Sequence, residues 1–155
     1  MNISQLLAPE RIRLQPSVSS KKRALEIVGE LLATALPEVS EARIFDALNQ
    51  RERLGSTGLG QGVALPHGRL EGVDRPVGAL LVLENPVEYE AIDHRPVDLI
   101  FALLVPAEAT DEHLQILSTL AERFSDPGWV ERIRAAQTTE EIFAAVDKPS
   151  PSFAA

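Results

Sequence analysis

Apolar residues at Leu25, Val28, Leu31, Leu32 and Leu36 recur every three or four positions, so they share one face of a helix predicted over residues 20–36. Ser20 is its candidate N-cap and Pro37 its stop. A second helix is predicted from Ser40 to Arg53, with Ile44, Phe45 and Leu48 turned inward and Gly55 free to close it in a left-handed conformation. Three apolar runs, at 63–65, 78–83 and 97–105, read as strands, the last two continuous enough to be buried on both faces. Beyond Pro106, Thr110 is placed to cap a helix with Leu114, Leu117, Leu120, Ala121 and Phe124 on one stripe. A shorter helix is predicted over 129–136, and Thr138-x-x-Glu141 forms a capping box that opens another.

Interleaved helices and strands in 155 residues, 45% of them hydrophobic, predict one α/β domain with a single well-formed core. Residues 1–147 are assigned to that domain. Residues 148–155, with Pro149-Ser150-Pro151-Ser152, are read as a flexible tail. No internal repeat or interdomain linker breaks the chain.

The net charge of −8 repels polyphosphate surfaces, and nucleic acid is not an expected partner. The only dense basic cluster, Lys21-Lys22-Arg23, reads as the solvated start of a helix. Cysteine is absent, which excludes disulfides, thiolate nucleophiles and zinc-thiolate sites. The N-terminus has neither a basic leader nor an uninterrupted apolar stretch, and the run from Leu99 to Val105 is far below the ~20 residues that span a bilayer. A cytoplasmic protein with no membrane insertion is expected.

The candidate chemistry lies in Gly58-Leu59-Gly60-Gln61-Gly62-Val63-Ala64-Leu65-Pro66-His67-Gly68. A dinucleotide fingerprint needs a strand before its glycines and a helix after them. Here a helix precedes and a strand follows, so the glycines serve tight turning and close backbone approach instead. Between Pro66 and Gly68, at the end of a strand-like run, the His67 ring can face solvent and a second molecule. His67, His94 and His113 lack the short spacing of metal ligands, and no Gly-x-Ser-x-Gly elbow exposes a serine nucleophile. Neither a metal nor a cofactor is expected.

A neutral imidazole is nucleophilic near neutral pH, and attack on a phosphoryl donor gives a phosphoramidate able to pass its phosphoryl group on. Such a carrier needs one accessible ring, donors for three phosphoryl oxygens and a docking surface. Arg51 in a last helical turn, glycine-rich backbone N–H groups and His113 in a first helical turn are candidate donors. Both side chains also read as ordinary solvated helix-end residues, and the residues alone leave that choice open.

From Arg51 to Leu70 (Arg51-Glu52-Arg53-Leu54-Gly55-Ser56-Thr57, then the glycine and histidine segment, then Arg69-Leu70) the sequence closely resembles enzyme IIA of the fructose/mannitol class in the bacterial phosphotransferase system. The similarity continues through Ala91-Ile92-Asp93 and Pro96-Val97-Asp98-Leu99-Ile100-Phe101-Ala102-Leu103-Leu104-Val105-Pro106 to His113-Leu114. The resemblance implies a central mixed β-sheet flanked by helices on both faces. It places the phosphoryl-accepting histidine at His67, the active-site arginine at Arg51 and the second active-site histidine at His113. Arg53, often lysine in the family pattern, and His94 are read as surface residues. The implied donor is a small histidine-phosphorylated, HPr-like carrier protein.

His67-Gly68-Arg69-Leu70 and the free-standing chain point to the nitrogen-regulatory branch. There, phosphorylation changes which proteins are bound, such as potassium-transport components and sensor kinases. Two rival readings are a sugar-specific component feeding a fructose/mannitol-type permease and a protein-binding module with vestigial phosphorylation.

Overall fold

In the computed structural model, which describes residues 2–108 and 110–148, the chain runs β1 (Ile12–Gln15), α1 (Lys21–Ala33), α2 (Glu41–Arg53), β2 (Gly58–Gly60), β3 (Val63–Ala64), β4 (His67–Leu70), β5 (Val77–Val87), β6 (Val97–Pro106), α3 (Asp111–Phe124), α4 (Pro127–Ala135) and α5 (Thr139–Asp147). The two long apolar runs form the middle of a mixed sheet of order β1-β5-β6-β3-β2. β5 and β6 are antiparallel, with Leu80 opposite Phe101, while β1 runs parallel to β5. β3 and β4 follow one another along the same edge of β6, both parallel to it. Only Leu65 and Pro66 separate them, and the Pro66 carbonyl accepts the Leu103 N–H at 3.0 Å.

Side chains alternate across the sheet, so each central strand feeds two cores. On one face Ala79, Leu81, Ile100, Ala102 and Leu104 pack with Leu25, Val28 and Leu32 of α1 and Ile44 and Leu48 of α2. On the other, Leu80, Val82, Leu99, Phe101 and Leu103 pack with α3, α4 and α5 through Leu120, Phe124, Trp129, Ile133 and Ile142. Helices therefore cover both faces, as expected. Each large side chain buried in this way contributes about 1.5–3 kcal/mol relative to its exposed state.

Several boundaries differ from the sequence reading. Ser20 does cap α1, accepting the Arg23 N–H at 3.1 Å, but the helix ends at Ala33. The next three N–H groups, from Thr34 to Leu36, each reach back three residues, tightening the chain into turns before Pro37. Gly55 follows α2 with φ +149°, a positive value outside the left-handed helical region, and Leu54 occupies the cap in right-handed geometry. Phe45 is only half-buried. The four-residue periodicity of Ile116, Leu120 and Phe124 sets the buried line of α3, which turns Leu114 outward at 42% exposure. In α5, Thr138 accepts the Glu141 N–H, but the Glu141 carboxylate reaches the Gln137 N–H, so the capping box is displaced by one residue.

β1, β2 and β4 carried too few alternating positions to be read as strands. Lys148 ends the described chain, and residues 149–155 of the expected tail lie outside the described residues. Among the described residues no helix is long and apolar enough to cross a membrane.

Candidate functional site

Three elements converge on one cleft because of how closely they pack. A Cβ at Gly68 would stand 3.3 Å from the Ala47 backbone, so glycine lets β4 lie directly against α2. That contact sets His67, the first residue of β4, beside the last turn of α2, where Arg51 stands. His67 thus opens a strand of its own, β4, instead of ending the strand-like run before it. The first turn of α3 brings His113 to the same place. Arg51, His67 and His113 line a cleft of about 380 Å³, together with Leu54, Arg69 and Leu114. A neighbouring hollow of about 320 Å³ shares Arg51 and His67 and adds Thr57, Gly58 and Leu59.

The His67 ring is fixed by its own strand. Nδ1 lies 2.8 Å from the Leu65 carbonyl, which can only accept, so Nδ1 carries the hydrogen and Nε2 keeps a free lone pair. Burial of the ring holds its pKa below the ordinary 6.5. The Arg51 charge acts in the same direction, while the Leu65 carbonyl and Glu52 oppose it. The neutral, nucleophilic form is therefore favoured at neutral pH.

His113 has the reverse arrangement. It is the third residue of α3, its backbone N–H donates to Thr110 Oγ1 at 3.4 Å, and its Nδ1 accepts the Thr110 N–H at 3.3 Å. This is a capping box in which an imidazole replaces the usual Glu or Gln. With Nδ1 accepting, the remaining hydrogen of a neutral ring is on Nε2. Arg51 uses one guanidinium nitrogen to donate to the Gly55 carbonyl at 2.9 Å, which steadies the side chain and, among the described residues, leaves its other N–H groups uncommitted.

The glycine loop does not supply the donors expected of it at two positions. The Gly58 N–H is held by Ser56 Oγ at 3.1 Å, and the Gln61 N–H by Asp93 Oδ2 at 2.8 Å. Gly62, at φ +84°, lets the loop pass under Arg134, whose guanidinium binds Asp98 and the Gln61 carbonyl. These bonds brace the loop. They do not open it toward a ligand. Arg53 and His94 are exposed, as expected.

A buried polar cluster beside the cleft escaped sequence reasoning. The Glu52 carboxylate, 3% exposed, binds Lys21 Nζ at 2.8 Å, and Tyr89 Oη donates to it at 3.0 Å. It also accepts from both the hydroxyl and the N–H of Thr57. Burial, with the Glu52 charge beside it, pushes the Tyr89 hydroxyl far up, so it stays protonated. Lys21 Nζ lies 4.5 Å from the centre of the Tyr89 ring, so Lys21 departs from the solvated helix start expected for it. A signal existed in the spacing: Ile44, Leu48 and Glu52 step by four, which puts Glu52 on the buried face of α2.

A doubly covered mixed sheet with a tautomer-fixed histidine at its edge, next to an arginine and a second histidine, defines a class of protein. Residues 5–148 match the family described as "Phosphoenolpyruvate-dependent sugar phosphotransferase system, EIIA 2", and the chain belongs to that family. Within it, the chain is 48% identical over 144 residues to a nitrogen regulatory protein of Klebsiella oxytoca, covering 92% of this chain and 88% of that one. The crystal structure of nitrogen regulatory protein IIA-Ntr from Neisseria meningitidis has the same fold, with a TM-score of 0.86 at 46% identity over 93% of this chain and 98% of that one. A more distant relative is the Escherichia coli PTS system 2-O-alpha-mannosyl-D-glycerate-specific EIIABC component, 34% identical over 161 residues, 99% of this chain but 24% of that protein.

Proposed function

We propose that the protein is a regulatory phosphoryl carrier of the cytoplasm. His67 takes a phosphoryl group from a small histidine-phosphorylated, HPr-like carrier protein, and phosphorylation changes which proteins are bound. The observation that carries this reading is the His67 Nδ1 hydrogen bond to Leu65, which frees Nε2 in a cleft also lined by Arg51 and His113.

In the transfer, the Nε2 lone pair attacks phosphorus in line with the donor's P–N bond. A new P–N bond forms as the old one breaks, its electron pair returning to the donor's imidazole. Positive charge grows on the His67 ring, and the Leu65 carbonyl stabilises it through Nδ1–H. The Arg51 guanidinium and the His113 Nε2–H offset charge on the phosphoryl oxygens. No cofactor enters these steps.

Of the four exposed large hydrophobic residues described, Leu54, Leu59 and Leu114 line the two hollows at His67. Apolar side chains around a reactive ring suit a macromolecular donor better than a small sugar phosphate. The regulatory assignment is supported by the nitrogen regulatory relatives and their fold. Partners of the kind expected are potassium-transport components and sensor kinases. The test is incubation with radiolabelled, phosphorylated carrier protein: one acid-labile phosphoryl group per chain is expected, and label retained by His67→Ala overturns the reading.

Similarity to the EIIABC component favours a second reading, a sugar-transport role. Efficient sugar uptake driven by the phosphorylated protein through a matching permease establishes that role in place of regulation.

A further inference from the structure

Three hydrogen bonds, joined through the backbones of Thr57 and Leu65, connect the buried carboxylate of Glu52 to the His67 ring. Glu52 Oε2 accepts the Thr57 N–H at 3.2 Å. The Thr57 carbonyl accepts the Leu65 N–H at 3.0 Å. The Leu65 carbonyl then accepts the His67 Nδ1 hydrogen at 2.8 Å. The line starts from a firm anchor, because Glu52 is buried and is held independently by Lys21 of α1 and by Tyr89. It passes through two residues with little freedom of their own: Thr57 is 6% exposed and Leu65 is 4% exposed.

We infer that Glu52 is a positioning residue for phosphoryl transfer, acting through Thr57 and Leu65 to fix the tautomer and direction of the His67 ring. The inference rests on the phosphocarrier reading of His67. Glu52 touches no reacting atom. A carboxylate is the stronger acceptor for the Thr57 N–H, charge-assisted bonds being about twice as strong as neutral ones, and its strength fixes where the Thr57 carbonyl stands. That carbonyl fixes the Leu65 N–H, and the buried Leu65 backbone in turn presents its own carbonyl to Nδ1. The same carboxylate ties the end of α2, where Arg51 stands, to Thr57 and through it to Leu65, two residues before His67. One buried anion thereby registers the nucleophile against its candidate phosphoryl-binding arginine. The role is comparable to that of outer partners that orient metal-binding histidines.

The test combines ¹⁵N NMR of the His67 imidazole in the unphosphorylated protein with the single-turnover rate of phosphorylation by the carrier protein. In Glu52→Ala the Nδ1–H tautomer loses its predominance and the rate falls between about 10- and 100-fold, the range that misplacing a reacting group costs. Glu52→Gln keeps an acceptor of similar size but without charge, and falls between Glu52→Ala and the wild type in both measurements. Ile142→Val makes a small cavity in the core beneath α5 without touching any residue of the line, and it retains the wild-type tautomer and rate.

Wild-type tautomer and rate in folded Glu52→Ala overturn the inference, as they do in Glu52→Gln if the alanine variant does not fold. An Ile142→Val loss as large as that of Glu52→Ala also overturns it, since the effect is then general disturbance of the core. If the wild type shows the fixed tautomer but accepts no phosphoryl group, the phosphocarrier reading fails instead.

Discussion

His67 and His113 line the same cleft with opposite tautomers: His67 donates from Nδ1 to the Leu65 carbonyl, whereas His113 accepts at Nδ1 from the Thr110 N–H. Each assignment follows from a backbone partner that can play only one part. One ring therefore offers a lone pair at Nε2 and the other a hydrogen. A nucleophile and an electrophilic donor are made from the same residue type by the local backbone alone.

Arg51→Lys keeps a positive charge but loses the planar fork, and it does not rescue Arg51→Ala. Both substitutions are expected to slow single-turnover phosphorylation by about 100- to 1,000-fold, the usual cost of losing one preorganised donor to a developing anion. Thermal melts should change little, since the hydrogen bond from Arg51 to the Gly55 carbonyl is exposed. A rate within a few-fold of wild type makes Arg51 a solvated helix-end residue after all.

His113 holds two duties that substitution separates. His113→Gln can restore the bond to the Thr110 N–H, as Gln does in ordinary capping boxes, so helix stability is retained while the transfer rate falls about tenfold. His113→Ala loses the cap bond as well and is destabilised by about 0.5–1 kcal/mol. Denaturant midpoints and transfer rates of the two variants check this together.

The lowered His67 pKa has consequences for binding protons and for stability. An NMR titration of the ring should give a midpoint below 6.5. The unfolded chain then binds more protons than the folded one between that midpoint and 6.5, so stability rises with pH across this window. The His67 contribution is complete above 6.5 and is lost as pH falls through the folded value. His67→Gln flattens this part of the stability profile, and an unchanged profile contradicts the shift.

Leu54 is 84% exposed beside the cleft, so Leu54→Glu leaves the melting temperature unchanged. If the apolar rim receives the donor protein, the donor concentration for half-maximal rate rises about tenfold, equivalent to about 1.4 kcal/mol of docking energy. A wild-type donor dependence removes Leu54 from the docking surface.

The two central strands were legible because burial on both faces leaves long apolar runs, as in Leu99 to Val105. α1 and α2 were legible from their stripes and serine caps. β1, β2 and β4 were not, since each is only three or four residues long; β1 and β4 are specified by pairing with the long strands β5 and β6, and β2 by pairing with β3. Motif similarity placed His67, Arg51 and His113, and the fold brings all three to one cleft. Their protonation was hidden, because it depends on the carbonyl of Leu65 and the N–H of Thr110 meeting particular ring nitrogens. Glu52 stands between two arginines, and only its four-residue spacing from Leu48 marks it as buried.

The most direct test of the account is ³¹P and ¹⁵N NMR of the protein after phosphorylation by its carrier-protein donor. The account predicts one phosphoryl group per chain, bonded to Nε2 of His67, with the hydrogen retained on Nδ1. Phosphorus bonded to Nδ1 of His67, or to any other residue, contradicts it.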